Sequence, residues 1–142
     1  MNKVSDILSK KGVVVVSVGP ASTVLEALRL MADKNIGSVV VMENEKYVGI
    51  VTERDYSRKV ILKGKHSSET KVSEIMSTDQ PHITPLDTIE KCRELMTHHT
   101  IRYLPVFENG IFKSIISMSD LAKQTLFIQQ ATIDHLKNYI NS

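Results

Sequence analysis

At 142 residues, 42% hydrophobic and 24% charged, the sequence has the make-up of a globular protein, and its length suits one compact domain or two small halves sharing a core. Eighteen Lys and Arg against sixteen Asp and Glu leave a net charge of +2, and a pI near 8.6 falls short of the value above about 9 that marks a general nucleic-acid binder. The single Cys92 excludes an internal disulfide framework and a CxxC redox or zinc motif. The apolar runs are far shorter than the roughly 18 residues of a membrane span, and the first six residues lack the apolar stretch of a signal peptide. The expected location is therefore the cytoplasm.

In chain order, a lead-in of Val4-Ser5-Asp6-Ile7-Leu8 precedes a β-rich run, Val13–Val18. Thr23-x-x-Glu26 reads as a capping box, and apolar residues at 24, 27, 28, 31 and 32 give one buried helical stripe. Ser38–Met42 and Tyr47–Thr52 are β-rich runs joined by Glu43-Asn44-Glu45-Lys46, the pattern of a hairpin, and a helix is expected from about Glu53 to Leu62. The polar stretch 63–71 reads as a linker. After a second lead-in, Val72-Ser73-Glu74-Ile75-Met76, the order recurs. A short strand is expected at His82–Thr84, then a helical stripe of Ile89, Cys92, Leu95 and Met96 capped by Asp87 or Thr88. A hairpin of Tyr103–Phe107 and Ile111–Ser117 turns at Glu108-Asn109-Gly110, and a last helix runs from about Ser119 onward.

The recurrence is an internal repeat. Sliding the sequence by 65 residues (88 − 23) aligns Thr23–Tyr56 with Thr88–Leu121 without a gap, and nine of the 34 pairs are identical, among them Ile36/Ile101, Asn44/Asn109, Ile50/Ile115 and Asp55/Asp120. The lead-ins match at an offset of 68 (72 − 4). The expected fold is thus α/β (α+β), two β-α-β-β-α repeats. A three-stranded sheet with helices on one face has little core alone, so the halves are expected to pack together. The expected boundaries are a first repeat at 4–62, a linker at 63–71, a second repeat at 72–122 and a C-terminal helix at 123–142. That last segment has apolar residues at 126, 127, 133, 136 and 140, enough to pack on a neighbour or to cover the core.

Catalytic signatures are missing: there is no P-loop, no Gly-x-Gly-x-x-Gly, no zinc-peptidase helix and no Gly-x-Ser-x-Gly elbow. His98 and His99 are adjacent rather than at i, i+4 and do not suit one metal. Cys92 takes the place of Ala27 on the buried stripe, which suits a structural thiol. The expectation is of no enzyme, no catalytic residue and no metal.

More telling are Thr52-Glu53-Arg54-Asp55 and Ser117-Met118-Ser119-Asp120, each at a strand end that becomes a helix start. Helix capping explains Thr/Ser-x-x-Asp there. A nucleotide seat explains it too, with the carboxylate accepting from a ribose diol and the helix N-terminus or a nearby Arg meeting phosphate. Both hold together if Thr52 caps while Asp55 binds. Ile36-Gly37-Ser38 and Ile101-Arg102-Tyr103-Leu104-Pro105 converge on the same end of each half, where they either sandwich an adenine ring, with Arg102 on phosphate, or seal the core with Arg102 facing water. Arg54, Arg58, Lys59, Lys63 and Lys65 form a basic set, either a solvated face or a supply of charge to the anion seat.

With Val4-Ser5-Asp6-Ile7-Leu8, Gly49-Ile50-Val51-Thr52-Glu53-Arg54-Asp55-Tyr56 and Ile101-Arg102-Tyr103-Leu104-Pro105-Val106 in view, the chain resembles a tandem CBS-domain (cystathionine-β-synthase domain) protein of the stand-alone type from about Val4 to Leu121. The resemblance implies a CBS pair with pseudo-twofold symmetry, two of which commonly form a disc-like homodimer, and adenosine ligands such as AMP, ADP, ATP, NAD or S-adenosylmethionine. It implies Asp55 and Asp120 as ribose contacts supported by Thr52 and Ser117. It places adenine beside Ile36 and Ser38 in one cleft and beside Ile101, Tyr103 and Pro105 in the other, with Val16 and Thr84 as further contacts. Arg54, Arg58 and Arg102 are the phosphate candidates. Ser114 stands where the first repeat has Gly49, and Arg102-Tyr103-Leu104-Pro105 where it has Gly37-Ser38-Val39-Val40. The clefts should therefore differ, the Asp120 cleft being the tighter, with Arg54 lending it charge. The expectation is an adenine-nucleotide-binding regulatory module acting on a protein partner. Its competitors are a constitutive interaction scaffold with vestigial clefts and a nucleic-acid-associated regulator.

Overall fold

The structure, a computed structural model, describes residues 1–12 and 15–141. It contains two compact units, one formed by 15–80 and the other by 1–14 together with 81–142.

In the unit 15–80, β1 (Ser17–Val18) runs parallel to β2 (Ser38–Glu43), which pairs antiparallel with β3 (Lys46–Thr52). Of the strand expected at Val13–Val18, Ser17 and Val18 are paired, while Val13 and Val14 lie outside the described residues. Helix α2 (Val24–Lys34) starts where the Thr23 hydroxyl accepts the Glu26 N–H at 3.1 Å. It ends where Asn35 takes the left-handed conformation, φ 55. Its stripe of Val24, Ala27 and Met31 packs on Val39, Val41 and Val51 of the sheet, and Val60, Val72 and Ile75 close that core. Helix α3 (Glu53–Lys59) follows β3 directly.

In the other unit, α1 (Val4–Lys11), α4 (Ile89–His99), β4 (Tyr103–Glu108), β5 (Ile111–Ser117) and α5 (Met118–Asn141) share one core. It is built from Val4, Ile7, Ile83, Ile89, Cys92, Met96, Leu104, Val106, Ile116 and Leu121. Thr88 is the N-cap of α4, its hydroxyl accepting from Lys91 N–H, while Asp87 accepts from Thr84 N–H at 2.7 Å. The expected strand at His82–Thr84 is a correction: only Ile83 bridges, parallel to Val106, with bonds from Ile83 N–H to Pro105 O and from Phe107 N–H to Ile83 O. Pro81 and Pro85 bracket it, and a proline has no N–H with which to extend a ladder.

Chain order and packing differ in one respect. The first lead-in belongs to the core of the second repeat, and the second lead-in to the core of the first. Val4 N–H donates to Asp87 O and Ile89 N–H to Asn2 O in one unit; Val72 N–H donates to Ser22 O and Val24 N–H to Thr70 O in the other. The stretch 63–71 is therefore structured, with a 3-10 turn at Ser67–Glu69 and Thr70 buried.

The same docking explains Gly49. A Cβ there would stand 2.8 Å from Ser77 O and 3.1 Å from Met76 Sδ, because Ser77 and Ile50 bond each other through both backbone pairs. Its counterpart Ser114 is fully buried opposite Val106, so it lines no opening.

Candidate functional site

Each repeat places a carboxylate at the junction of its last strand and the following helix. At Thr52, which pairs across the sheet with Ser38, β3 stops and α3 begins. The Thr52 hydroxyl accepts Asp55 N–H at 3.1 Å, and Asp55 Oδ2 accepts Thr52 N–H at 2.9 Å and the Thr52 hydroxyl at 3.1 Å. This reciprocal cap satisfies donors a helix start leaves unpaired. In the second repeat Ser117 pairs with Tyr103, Asp120 N–H donates to the Ser117 hydroxyl at 3.1 Å, and Ser117 N–H donates to Asp120 Oδ2 at 2.9 Å. Capping, one of the two readings of Thr/Ser-x-x-Asp, is thus built at both places.

A second tie joins the turn before each hairpin to the same helix start. Glu53 N–H donates to Gly37 O at 3.1 Å, and Met118 N–H to Arg102 O at 2.8 Å. Ile36, Ser38, Thr52 and Asp55 are thereby gathered at one end of the first unit, and Ile101, Arg102, Tyr103, Ser117 and Asp120 at one end of the second. Ser38 and Asp55 are buried. Ile36 and Ile101 are half-buried against their cores. Val16, whose carbonyl accepts Val40 N–H, packs on the first core. Pro105 is buried with its carbonyl on Ile83 N–H. Thr84 is exposed and caps a turn, its hydroxyl accepting Leu86 N–H and its amide held by Asp87. Arg54, Arg58 and Arg102 are exposed. A cavity of about 330 Å³ opens beside the Gly37–Glu53 tie, lined by Leu28, Met31, Asn35, Ile36, Gly37 and Glu53. Of the residues expected to contact a ligand, it is lined by Ile36 alone.

Two lysines at these carboxylates escaped the sequence reading as partners. Lys59 Nζ lies 3.1 Å from Asp55 Oδ1 and donates to Ile75 O at 2.9 Å. Lys11 Nζ lies 2.8 Å from Asp120 Oδ2 and donates to Ile115 O at 2.9 Å. The i, i+4 spacing of Asp55 and Lys59 is a legible signal on a helix. Lys11 and Asp120 are far apart in sequence, and nothing local connects them.

Among the described residues no three His, Cys, Asp or Glu side chains gather as metal ligands. His98 and His99 meet edge to face, 4.9 Å between ring centroids. Cys92 is fully buried, and burial pushes its thiol up to about 11, far from the thiolate a nucleophile needs. Among the described residues no helix is long and apolar enough to cross a membrane.

Comparison with known proteins matches this chain to the CBS domain twice, over residues 4–61 and 72–126. It is 33% identical over 122 residues to the CBS domain-containing protein YhcV of Bacillus subtilis, covering 86% of this chain and 84% of that one. It is 33% identical over 123 residues to the mitochondrial CBS domain-containing protein CBSX3 of Arabidopsis thaliana, covering 83% of this chain but 60% of the relative's length. The solved structure of a protein with CBS domains from Burkholderia ambifaria superposes with a TM-score of 0.84 at 39% identity, over 87% of this chain and 93% of that one.

Proposed function

The chain belongs to the CBS-domain family, and from that premise we propose that it is a sensor of adenine nucleotides that passes ligand state, through a homodimer, to a partner protein. CBS pairs are regulatory modules that often bind adenosine ligands, and stand-alone CBS-domain proteins are generally regulatory rather than catalytic. The observation that carries the proposal is the repeated carboxylate. Asp55 and Asp120 are each held in place by backbone amides at a helix start, beside the turn that begins a hairpin. A carboxylate so fixed is ready to accept ribose hydroxyls without reorganising. To the base we assign Ile36 and Ser38 in one site and Ile101, Tyr103 and Pro105 in the other, with Val16 and Thr84 as further contacts. Arg54, Arg58 and Arg102, all exposed, are the residues we assign to phosphate. We place the protein in the cytoplasm.

One observation favours a competitor. Lys59 and Lys11 already sit on the two carboxylates, as they would in a scaffold whose clefts are vestigial. A thermal-shift panel of AMP, ADP, ATP, NAD and S-adenosylmethionine on wild type, Asp55→Ala and Asp120→Ala separates the two. A ligand at a hundred times its dissociation constant adds about 2.7 kcal/mol. Loss of a cap alone costs about 0.5–2 kcal/mol and appears without ligand. The sensor predicts a shift in wild type that shrinks in the Asp variants. No shift with any of the five, on protein shown to carry none from purification, establishes the scaffold instead.

A further inference from the structure

We infer that Lys11 is a ligand contact of the Ser117–Asp120 site and makes that site select phosphorylated over uncharged adenosine compounds; this rests on the nucleotide reading above. An ammonium has three donors, and Lys11 spends two, on Asp120 Oδ2 and Ile115 O. The third is left for a ligand oxygen. Asp120 receives both Ser117 N–H and Lys11 on Oδ2, so Oδ1 is kept for a ribose hydroxyl. Alone, the carboxylate would set a negative charge beside the ligand's own phosphate. Lys11 cancels that charge and adds a donor, which turns repulsion into attraction.

The repeat supplies the second argument. The position equivalent to Lys59 is Gln124 (59 + 65), which is neutral, and the position equivalent to Lys11 is Asp79 (11 + 68). The two sites therefore each hold one lysine that bridges the Asp to a backbone carbonyl, yet draw it from unrelated places in the chain. Capping does not require it, since Ser117 and Thr52 already cap. Lys11 is also delivered by a clamped element. Helix α1 is anchored by Val4 N–H on Asp87 O and Ser5 N–H on Pro85 O, both 2.9 Å. Neighbouring Lys10 bonds Gln124 Oε1 at 3.0 Å and lies 3.0 Å from the Phe127 ring centre.

The test titrates AMP and adenosine into wild type, Lys11→Gln, Lys11→Arg and, as a neighbour control, Lys10→Gln, following the amide NMR shifts of Ser117 and Asp120 so that this site alone is read. Wild type is expected to bind AMP about tenfold more tightly than adenosine, the scale of one charge-assisted hydrogen bond. Lys11→Gln should cut that ratio several-fold, leaving the share that Arg102 contributes; Lys11→Arg and Lys10→Gln should keep it. An unchanged ratio in Lys11→Gln overturns the inference, and so does equal weakening of both ligands, the mark of a purely structural lysine. On unaltered protein, added salt should weaken AMP more than adenosine, and an equal response overturns the inference without any variant. If the wild-type amides respond to neither ligand, the nucleotide reading itself falls.

Discussion

A methyl group at Gly49 has nowhere to go: the Ser77 carbonyl would be 2.8 Å away and is backbone, with the Met76 side chain close behind at 3.1 Å from Sδ. Gly49→Ala must therefore push the second lead-in off β3, and overpacking of that kind costs about 1–3 kcal/mol. A urea titration should show the midpoint falling with the slope unchanged. A cost near zero would mean that the Ser77–Ile50 pairing is not held in solution. The reason for this glycine was not legible locally. The sequence shows only that Gly49 faces Ser114 in the repeat alignment, which suggests a difference at the second cleft. The structure puts the cause in a segment about thirty positions away in the chain, docked on the strand.

At the scale of elements, the duplication acts as an internal control. Both hairpins turn on two residues of positive φ, Asn44 (52°) and Glu45 (64°) in one, Asn109 (53°) and Gly110 (76°) in the other. Asn tolerates that region and Gly is at home there, but a Glu side chain at φ 64° is strained. Glu45→Gly is expected to raise stability by about 0.5–1 kcal/mol, read as a higher melting temperature. A fall would mean that the Glu side chain makes contacts worth more than the strain. Helices and hairpins were legible because their signals are local: Thr23 and Thr88 as caps, period-3.6 stripes at Val24, Ala27, Met31 and Ile89, Cys92, Met96, and Asn-Gly at the second turn. His82–Thr84 was not, because Pro81 and Pro85 curb pairing that the β-rich composition alone suggests.

At the scale of the whole molecule, α5 is 24 residues, about 36 Å long, yet only Leu121 and Gln124 in it are buried. From residue 132 to 141 every residue is exposed, including Ile133, Leu136 and Ile140 at helical spacing. A helical end of that length is marginal in water without a tertiary partner, so the proposed homodimer has in this stripe a natural place to bury it. Ile133→Asp with Ile140→Asp should lower the mass measured by light scattering while leaving the far-UV spectrum of the core largely intact. An unchanged oligomer would remove α5 from the interface.

Helical and alternating patterns and cap residues, read twice along the chain, were enough to give the helices and both hairpins and to single out Asp55 and Asp120, because each of these signals depends on residues within a few positions of one another. Only the tertiary structure could say that the lead-ins trade cores, that Gly49 exists for Ser77, and that Lys11 reaches Asp120. These are contacts between segments distant in the chain. They are set by which apolar faces bury each other, as Val4 and Ile7 do with Ile89 and Val72 and Ile75 do with Val24, and no local spacing encodes that choice.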